Sequence, residues 1–240
     1  MSAEGAARFA RYAYPPNALG FCGPAGASAM LAPGATEEIG RRARRFEGAW
    51  SYLEVLAETT GRDPLDTDVV EAYWVGGDLL RAVDGAGLVE RLAERFVGQV
   101  GGTWREAAAR ATAHHGFQVY EVYPWAGLLL AGRPPGPAVN VLDRCRIRVG
   151  EVVAVDGERV VVSSRPLVWD GTALHEAQAV TETACWSVDG QSLIGPPAVG
   201  NLVALHWDWV CEVVTSEAAA SIEDLDRRAR SAVGLSPAGR

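Results

Sequence analysis

The chain has 240 residues, of which 48% are hydrophobic, and a net charge of −8 at pH 7, which is enough length and apolar content for one large core or two small ones. The negative charge disfavours a nucleic-acid partner, no apolar run approaches the roughly 18 residues of a membrane span, and the N-terminus lacks the apolar block of a secretory signal. We therefore expect a cytoplasmic protein that binds neither nucleic acid nor membrane.

The first half of the chain is predicted to be helical. Apolar residues recur at three- to four-residue spacing from Ile39 to Leu56, which is typical of an amphipathic helix. Thr36 precedes this run as a good N-cap, and Gly61 follows it as a stop. The pattern predicts one helix between these two residues.

Further helices are expected before residue 114. One is predicted to start after Asp66 or Thr67, with Gly76-Gly77 bending or dividing it. Another is expected around 88–96, where leucines and a phenylalanine recur at helical spacing, and a fourth at 104–113.

The pattern changes in the middle of the chain. Residues 117–130 are aromatic and irregular, which favours an extended segment broken at Pro124. A run of glycine and proline follows at 132–137, and such density resists both helix and sheet. We place a domain boundary there, with a mainly helical domain of unknown role at 1–138 and a β-rich domain at 139–240.

Beyond this boundary the hydrophobic period becomes two. Short strands separated by turns that contain glycine favour a small closed β-barrel, of which the five-stranded OB-like type is the simplest. The expected strands are 147–155, 160–162, 167–169, 180–188, 202–205 and 210–214. Thr215 or Ser216 is expected to cap a last helix over the barrel edge. The predicted fold class is α+β.

Two residues far apart in this second part suggest chemistry. Cys145 stands just before a predicted strand and His206 ends a later one, and a thiolate with an imidazole suits a soft metal ion. We expect both side chains on one exposed rim of the barrel. The alternative is that Cys145 is a small buried hydrophobe and that His206 is a hydrogen-bonded histidine at a strand end.

The segment from Cys145 to Val233 resembles the HypC/HupF chaperones of [NiFe]-hydrogenase maturation. The likeness lies in an ordered series of motifs before an acidic helix: Cys145, Gly150, Asp156-Gly157, Val199-Gly200 and His206. The resemblance implies an assembly factor rather than an enzyme. It would carry iron transiently through Cys145 and His206, between a maturation scaffold protein and the hydrogenase large-subunit precursor.

The whole chain is also similar to an uncharacterised bacterial family found beside hydrogenase genes, a likeness carried by residues 14–24 and 114–117. Two departures from the chaperones stand out. Cys145 is internal, so any role that needs a free α-amine is lost. His206 is followed by Trp207-Asp208-Trp209, where the chaperones usually have a small or apolar residue and then Gly-Phe-Ala.

A thiol-dependent enzyme is the alternative function. Cys22 lies in a glycine- and proline-rich loop that leads into a short predicted helix, and helix N-termini lower a thiol pKa. Cys22 would be the nucleophile and His114 or His115 the base, with the barrel recruiting a partner. As metal ligands the two histidines lack a Cys or His at i+3 or i+4, so a helix-end or domain-contact role is expected. Cys185 and Cys211 are expected to be core thiols.

A module that only mediates interactions is a third possibility. It would show neither metal retention nor thiol reactivity.

Overall fold

The computed structural model describes residues 2–97 and 102–235 and confirms the mixed α+β class, with helices first, then a β-sheet region, then a C-terminal helix. The helices are Ala3–Ala18 (α1), Thr36–Ala43 (α2), Glu47–Thr60 (α3), Thr67–Trp74 (α4), Gly85–Arg95 (α5), His115–Phe117 (α6), Trp125–Leu130 (α7), Pro135–Cys145 (α8) and Ser216–Ala232 (α9). The strands are Arg148–Asp156 (β1), Arg159–Ser164 (β2), Leu167–Trp169 (β3), Leu174–Glu176 (β4), Val180–Cys185 (β5), Leu202–His206 (β6) and Trp209–Val213 (β7). Within the described ranges, none of the helices has both the length and the apolarity that crossing a bilayer requires.

Several helix ends follow the predicted capping chemistry. The Asp66 carboxylate accepts a hydrogen bond from a backbone N–H in the first turn of α4, at 3.0 Å. The Thr215 hydroxyl does the same for α9, at 3.2 Å. Gly61 ends α3 with φ +67°, a left-handed conformation that glycine adopts without steric cost. These three positions are confirmed.

The single helix predicted between Thr36 and Gly61 is two helices, α2 and α3. Phe46 stands between them with ψ +77°, outside the helical region. Its ring packs edge-on against Phe9 of α1, with centroids 5.3 Å apart. Packing against α1 therefore interrupts a helical period that the sequence alone would continue.

Residues 104–130 differ from their predictions. The helix expected at 104–113 forms two short 3₁₀ turns instead, Trp104–Glu106 and Ala108–Arg110. The segment expected to be extended is helical: α6 runs into a π-helical turn, Gln118–Val122, and α7 follows Pro124. Every residue of the π-helical turn is buried. Its polar residues, Gln118 and Glu121, accept hydrogen bonds from Tyr52 and Arg110 instead of forming a solvent-facing side, so no amphipathic period marks this helix in the sequence.

The main sheet has the order β1-β2-β5-β7-β6, and β6 pairs back with β1, so that the sheet curls round on itself. The β1–β2 hairpin turns at Gly157, whose φ is +54°, as the Asp-Gly pair predicted. The contact between β5 and β7 is parallel and consists of one residue pair, Cys185 with Trp209. Strands β3 and β4 form a separate two-stranded sheet.

The predicted boundary at residue 138 lies inside α8. The proline-rich run is compatible with this helix because prolines occupy its first turn, where backbone N–H groups have no helical partner. The largest hydrophobic core also takes residues from both sides of the boundary, including Phe9 and Trp74 from the helices and Ile147 and Trp209 from the sheet region. The two parts pack on one shared core.

Buried charges fix the end of α8 against α9. The Arg146 guanidinium donates to Asp226 at 3.2 Å, the Tyr120 hydroxyl donates to the same carboxylate at 2.7 Å, and Arg230 donates to it at 3.1 Å. Loss of one partner would leave an uncompensated charge in the interior, so this group holds a single arrangement. It anchors the residue that directly follows Cys145.

Replacing Gly5 by alanine is expected to destabilise the protein, although alanine ordinarily exceeds glycine in helix stability by ~1 kcal/mol. A Cβ at this position would lie 2.1 Å from the Leu65 carbonyl oxygen, so the two backbone segments must separate. We expect the free energy of unfolding in urea to fall by ~2–3 kcal/mol. The matched control is Gly127→Ala in α7, where the nearest atom lies at 3.9 Å. Equal effects of the two changes would contradict the steric argument.

Candidate metal centre

Three potential metal ligands meet in the interior. Cys145 ends α8, His206 ends β6 and His115 begins α6. One ligand atom of each residue lies within 4.8 Å of the other two. The residues are 8%, 1% and 5% exposed. Cys145 and His206, which the sequence singled out, are therefore close together, and His115 joins them.

The turn after β6 brings His206 to the end of α8. His206 pairs with Trp209 across the β6–β7 hairpin, and Trp207 in the turn has φ +55°, which is rare for a bulky residue. Two hydrogen bonds hold it there: its N–H donates to the Arg144 carbonyl at 2.8 Å, and its carbonyl accepts from Arg148 at 2.9 Å. The strained turn ties the end of the strand to the end of the helix.

The His206 ring presents a free nitrogen. Its Nδ1 lies 2.7 Å from the Tyr12 carbonyl of α1, and because a carbonyl only accepts, Nδ1 carries the proton. The lone pair is then on Nε2, which is buried and has no hydrogen-bond partner among the described residues. A carbonyl that fixes the tautomer in this way is a common partner of metal-binding histidines.

The His115 ring is also oriented by a backbone carbonyl. Its Nε2 donates to the Cys145 carbonyl at 2.8 Å, so Nδ1 is the basic nitrogen and accepts from the Tyr73 hydroxyl at 3.2 Å. The same hydroxyl lies 3.4 Å from the Gly48 carbonyl, a second acceptor to which it can turn. A cation at Nδ1 would therefore not leave the Tyr73 hydroxyl without a partner.

Burial keeps all three ligands neutral at pH 7. It lowers the pKa of His115 to about 3 and the pKa of His206 well below 6.5, and the neighbouring His115 lowers the pKa of His206 further. It raises the pKa of the Cys145 thiol well above 9, and the proximity of Cys22 adds to the rise. A bound cation would replace the thiol proton, while the two imidazoles are already in the form that binds metal.

The cluster lies on the wall of a cavity of about 300 Å³. The lining is mainly apolar and includes Cys22, Tyr73, Trp74 and Trp207. The Trp74 ring centroid is 4.6 Å from that of His115 and 5.7 Å from that of His206, which restricts both imidazoles. At the outer side, Phe21 is 60% exposed and stacks on Trp207 at 4.2 Å.

The expectation of an exposed rim is wrong. Cys145 and His206 are both buried, because helices of the N-terminal part cover this end of the sheet. Tyr12 of α1 bonds to His206, and Trp74 of α4 packs on its ring. The sequence pattern of the second half does not indicate that N-terminal helices pack over this end of the sheet.

Cys22 lines the same cavity but is not activated. Burial raises the pKa of its thiol to about 12, opposite to the expectation for a helix N-terminus. The short 3₁₀ helix begins only at Ala27, and the Cys22 loop is held instead by Asn17, whose amide donates to the Cys22 carbonyl at 2.7 Å. A thiol protonated at neutral pH does not favour the thiol-enzyme alternative.

His114 lies apart from the cluster. Its Nδ1 accepts from the Gly116 N–H at 3.0 Å and so caps α6, the helix-end role expected from the sequence. It lines a different cavity with Arg110 and Glu121. The sequence does not predict His115 as a metal ligand, because no Cys or His stands three or four residues away from it. The other two potential ligands, Cys145 and His206, come from distant segments, so no short-range spacing in the sequence indicates them.

The remaining polar candidates are structural. Asp208, in the turn after His206, is exposed and pairs with Arg144. Cys211 is a buried core thiol as expected, and Cys185 is partly buried beside the core. All four cysteines are free thiols.

A family model described as "Family of unknown function (DUF6390)" matches residues 1–236. No curated protein and no solved structure matches the chain.

Proposed function

Since the chain belongs to DUF6390, a family of unknown function, we propose its role from this site: it binds one transition-metal ion in the buried cavity and serves as a metallocentre assembly factor. The ligands are the Cys145 sulfur, Nε2 of His206 and Nδ1 of His115. The observation that carries the proposal is that one ligand atom from each of the three residues, which belong to three separate elements, lies within 4.8 Å of the other two.

The donor set fits a soft or borderline ion. A thiolate with two imidazoles suits zinc, copper or iron better than magnesium or calcium, which prefer oxygen. Ligand atoms bound at ~2.0–2.3 Å to one tetrahedral ion lie roughly 3.5 Å apart. The separations in the cluster, which are at most 4.8 Å, therefore need to shrink by at most roughly 1.3 Å. Rotation of the Cys145 side chain and a small ring movement supply a change of that size.

The residues around the ion contribute to its binding in different ways. Cys145 gives up its thiol proton and supplies the negative charge. The carbonyls of Tyr12 and Cys145 hold the two imidazoles in the tautomers that leave one nitrogen of each ring unprotonated. The cavity lining is mainly apolar, which strengthens the attraction between cation and thiolate.

The resemblance to HypC/HupF supports iron as the cargo. In that interpretation the curled sheet corresponds to the OB-like barrel of those chaperones, and the partners are the maturation scaffold protein and the hydrogenase large-subunit precursor in the cytoplasm. Because Cys145 is buried, the handover differs from one at an exposed cysteine: the partner reaches the ion through the cavity that Phe21 and Trp207 line.

Purification of the full chain from a hydrogenase-producing host tests this function. We expect about one iron per chain by elemental analysis, with an X-ray absorption shell of one sulfur and two nitrogens at ~2.3 and ~2.0–2.1 Å, lengths typical of zinc sites and similar for iron. We also expect Cys145→Ala to abolish hydrogenase maturation in that host while the protein still folds. The matched control is Cys211→Ala, which removes a buried thiol outside the cavity. Normal maturation with Cys145→Ala would overturn the assembly role, and a metal-free protein would overturn the metal site.

A further inference from the structure

The cavity has more room than one ion and its ligands require. It encloses about 300 Å³, whereas a single water takes ~30 Å³ in the liquid. Three protein ligands also leave one position open around a tetrahedral ion. A small molecule can therefore share the cavity with the ion. The argument rests on the proposed function, since it takes the metal site as its starting point.

The charge inside the cavity is unbalanced once the ion is bound. A divalent cation with one thiolate carries a net charge of +1. Among the described residues, no Asp, Glu, Lys or Arg side chain lines this cavity. A net charge in an apolar enclosure is strongly unfavourable unless a counter-charge accompanies it. The missing counter-charge is one negative unit.

Two buried donors on the wall have no acceptor. Trp74 and Trp207 both line the cavity and are buried, and Nε1 of each lacks a hydrogen-bond partner among the residues described. An indole N–H only donates, so it cannot be satisfied by a cation or by another donor. Unpaired buried donors are uncommon in folded proteins. Each Nε1 has almost no accessible surface, so a guest that accepts hydrogen bonds would pair with these two donors after a small turn of the indole rings toward the cavity.

We propose that the cavity binds a small monovalent anion beside the metal ion, at its open coordination position, with the indole N–H groups of Trp74 and Trp207 as hydrogen-bond donors. The anion supplies the missing negative charge and gives both donors an acceptor. The free volume limits it to a few heavy atoms. Metal ion and anion therefore bind cooperatively, each raising the affinity for the other.

Cys22 is the competing fourth ligand, because a second thiolate would also balance the charge. Its sulfur does not belong to the group of atoms within 4.8 Å. The loop that carries Cys22 is fixed by two hydrogen bonds from the Asn17 amide, to the carbonyls of Cys22 and Pro24 at 2.7 and 2.8 Å. These contacts favour the external anion.

The test uses the full-length protein loaded with cobalt(II) and titrated with azide, with the visible cobalt bands as the readout. We expect a saturable spectral change with one azide per cobalt. Trp74→Phe and Trp207→Phe should each weaken azide binding to the cobalt-loaded protein about tenfold or more. Trp104→Phe is the matched control, since Nε1 of Trp104 is equally buried and unpartnered but lies outside the cavity.

A second measurement needs no variant. In zinc-loaded protein labelled with ¹⁵N-tryptophan, azide should shift the indole N–H resonances of Trp74 and Trp207 and leave that of Trp104 in place.

Four outcomes would contradict one of the two proposals. Bound cobalt with no response to azide overturns the anion site and leaves the metal site intact. Equal azide affinity in the tryptophan variants and the control, with unmoved resonances, also overturns it. The anion site is also overturned if Cys22→Ser alters the cobalt spectrum in azide-free buffer, because the Cys22 sulfur would then be the fourth ligand of the ion. Failure to bind cobalt at all overturns the proposed function instead.

Discussion

Replacement of Cys145 by alanine is expected to lower the affinity for cobalt(II) by at least about 100-fold, or ~2.7 kcal/mol. The change removes the one ligand that becomes an anion and leaves two neutral imidazoles in an apolar cavity. The sulfur-to-cobalt charge-transfer band in the near ultraviolet should disappear with it. Competition with a chromophoric chelator measures the affinity, and absorption spectroscopy measures the band.

The control for this prediction is Cys211→Ala. Cys211 is a fully buried thiol in β7 and does not line the cavity, so its loss should alter stability without altering cobalt affinity. Urea unfolding of both variants separates a local loss of the ligand from a general loss of structure. A Cys145→Ala protein that binds cobalt as tightly as the parent would exclude Cys145 as a ligand.

The metal-free protein is expected to lose stability as the pH falls from 7.5 to 5.5. Burial lowers the pKa of His114 to about 4, of His115 to about 3 and of His206 well below 6.5, while in the unfolded chain each stays near 6.5. Below pH 6.5 the unfolded state takes up protons that the folded state does not, so the free energy of unfolding falls with pH. Each histidine contributes ~1.4 kcal/mol over this window and the three together at most about 4 kcal/mol.

Urea titrations of the metal-free protein at several pH values measure this effect. The window lies above the range in which carboxyl groups titrate, so they contribute little. Replacing His206 by asparagine should flatten the dependence by about one proton, whatever its effect on stability at pH 7.5. A free energy of unfolding that does not change between pH 7.5 and 5.5 would show that these imidazoles are not buried in neutral form.

The sequence carried enough information for the elements whose signals are local. Asp66 and Thr215 cap helices through their own side chains, and Gly61 and Gly157 occupy left-handed positions. The strands alternate because one face of the curled sheet is buried, as in β2, where Val160 and Val162 point inward. These features depend on neighbours a few residues away, which a sequence displays directly.

The sequence does not predict the remaining elements, because contacts with residues far away along the chain stabilise them. Helix α1 contains Pro15 and Pro16, which ordinarily argue against a helix, but they lie in its last turns and are buried. The π-helical turn Gln118–Val122 has no exposed face and therefore no period. His115 was missed as a ligand for a related reason, since its partners come from the ends of α8 and β6.

The hydrogen bond from His206 to the Tyr12 carbonyl has a bearing on rates. It fastens a residue of the sheet to the first helix of the chain, so the His206 ring can turn only when this bond breaks or when α1 moves with it. Local opening of a helix is slower than rotation of a free side chain. A partner that binds α1 would thereby alter the geometry of the candidate site from outside the cavity.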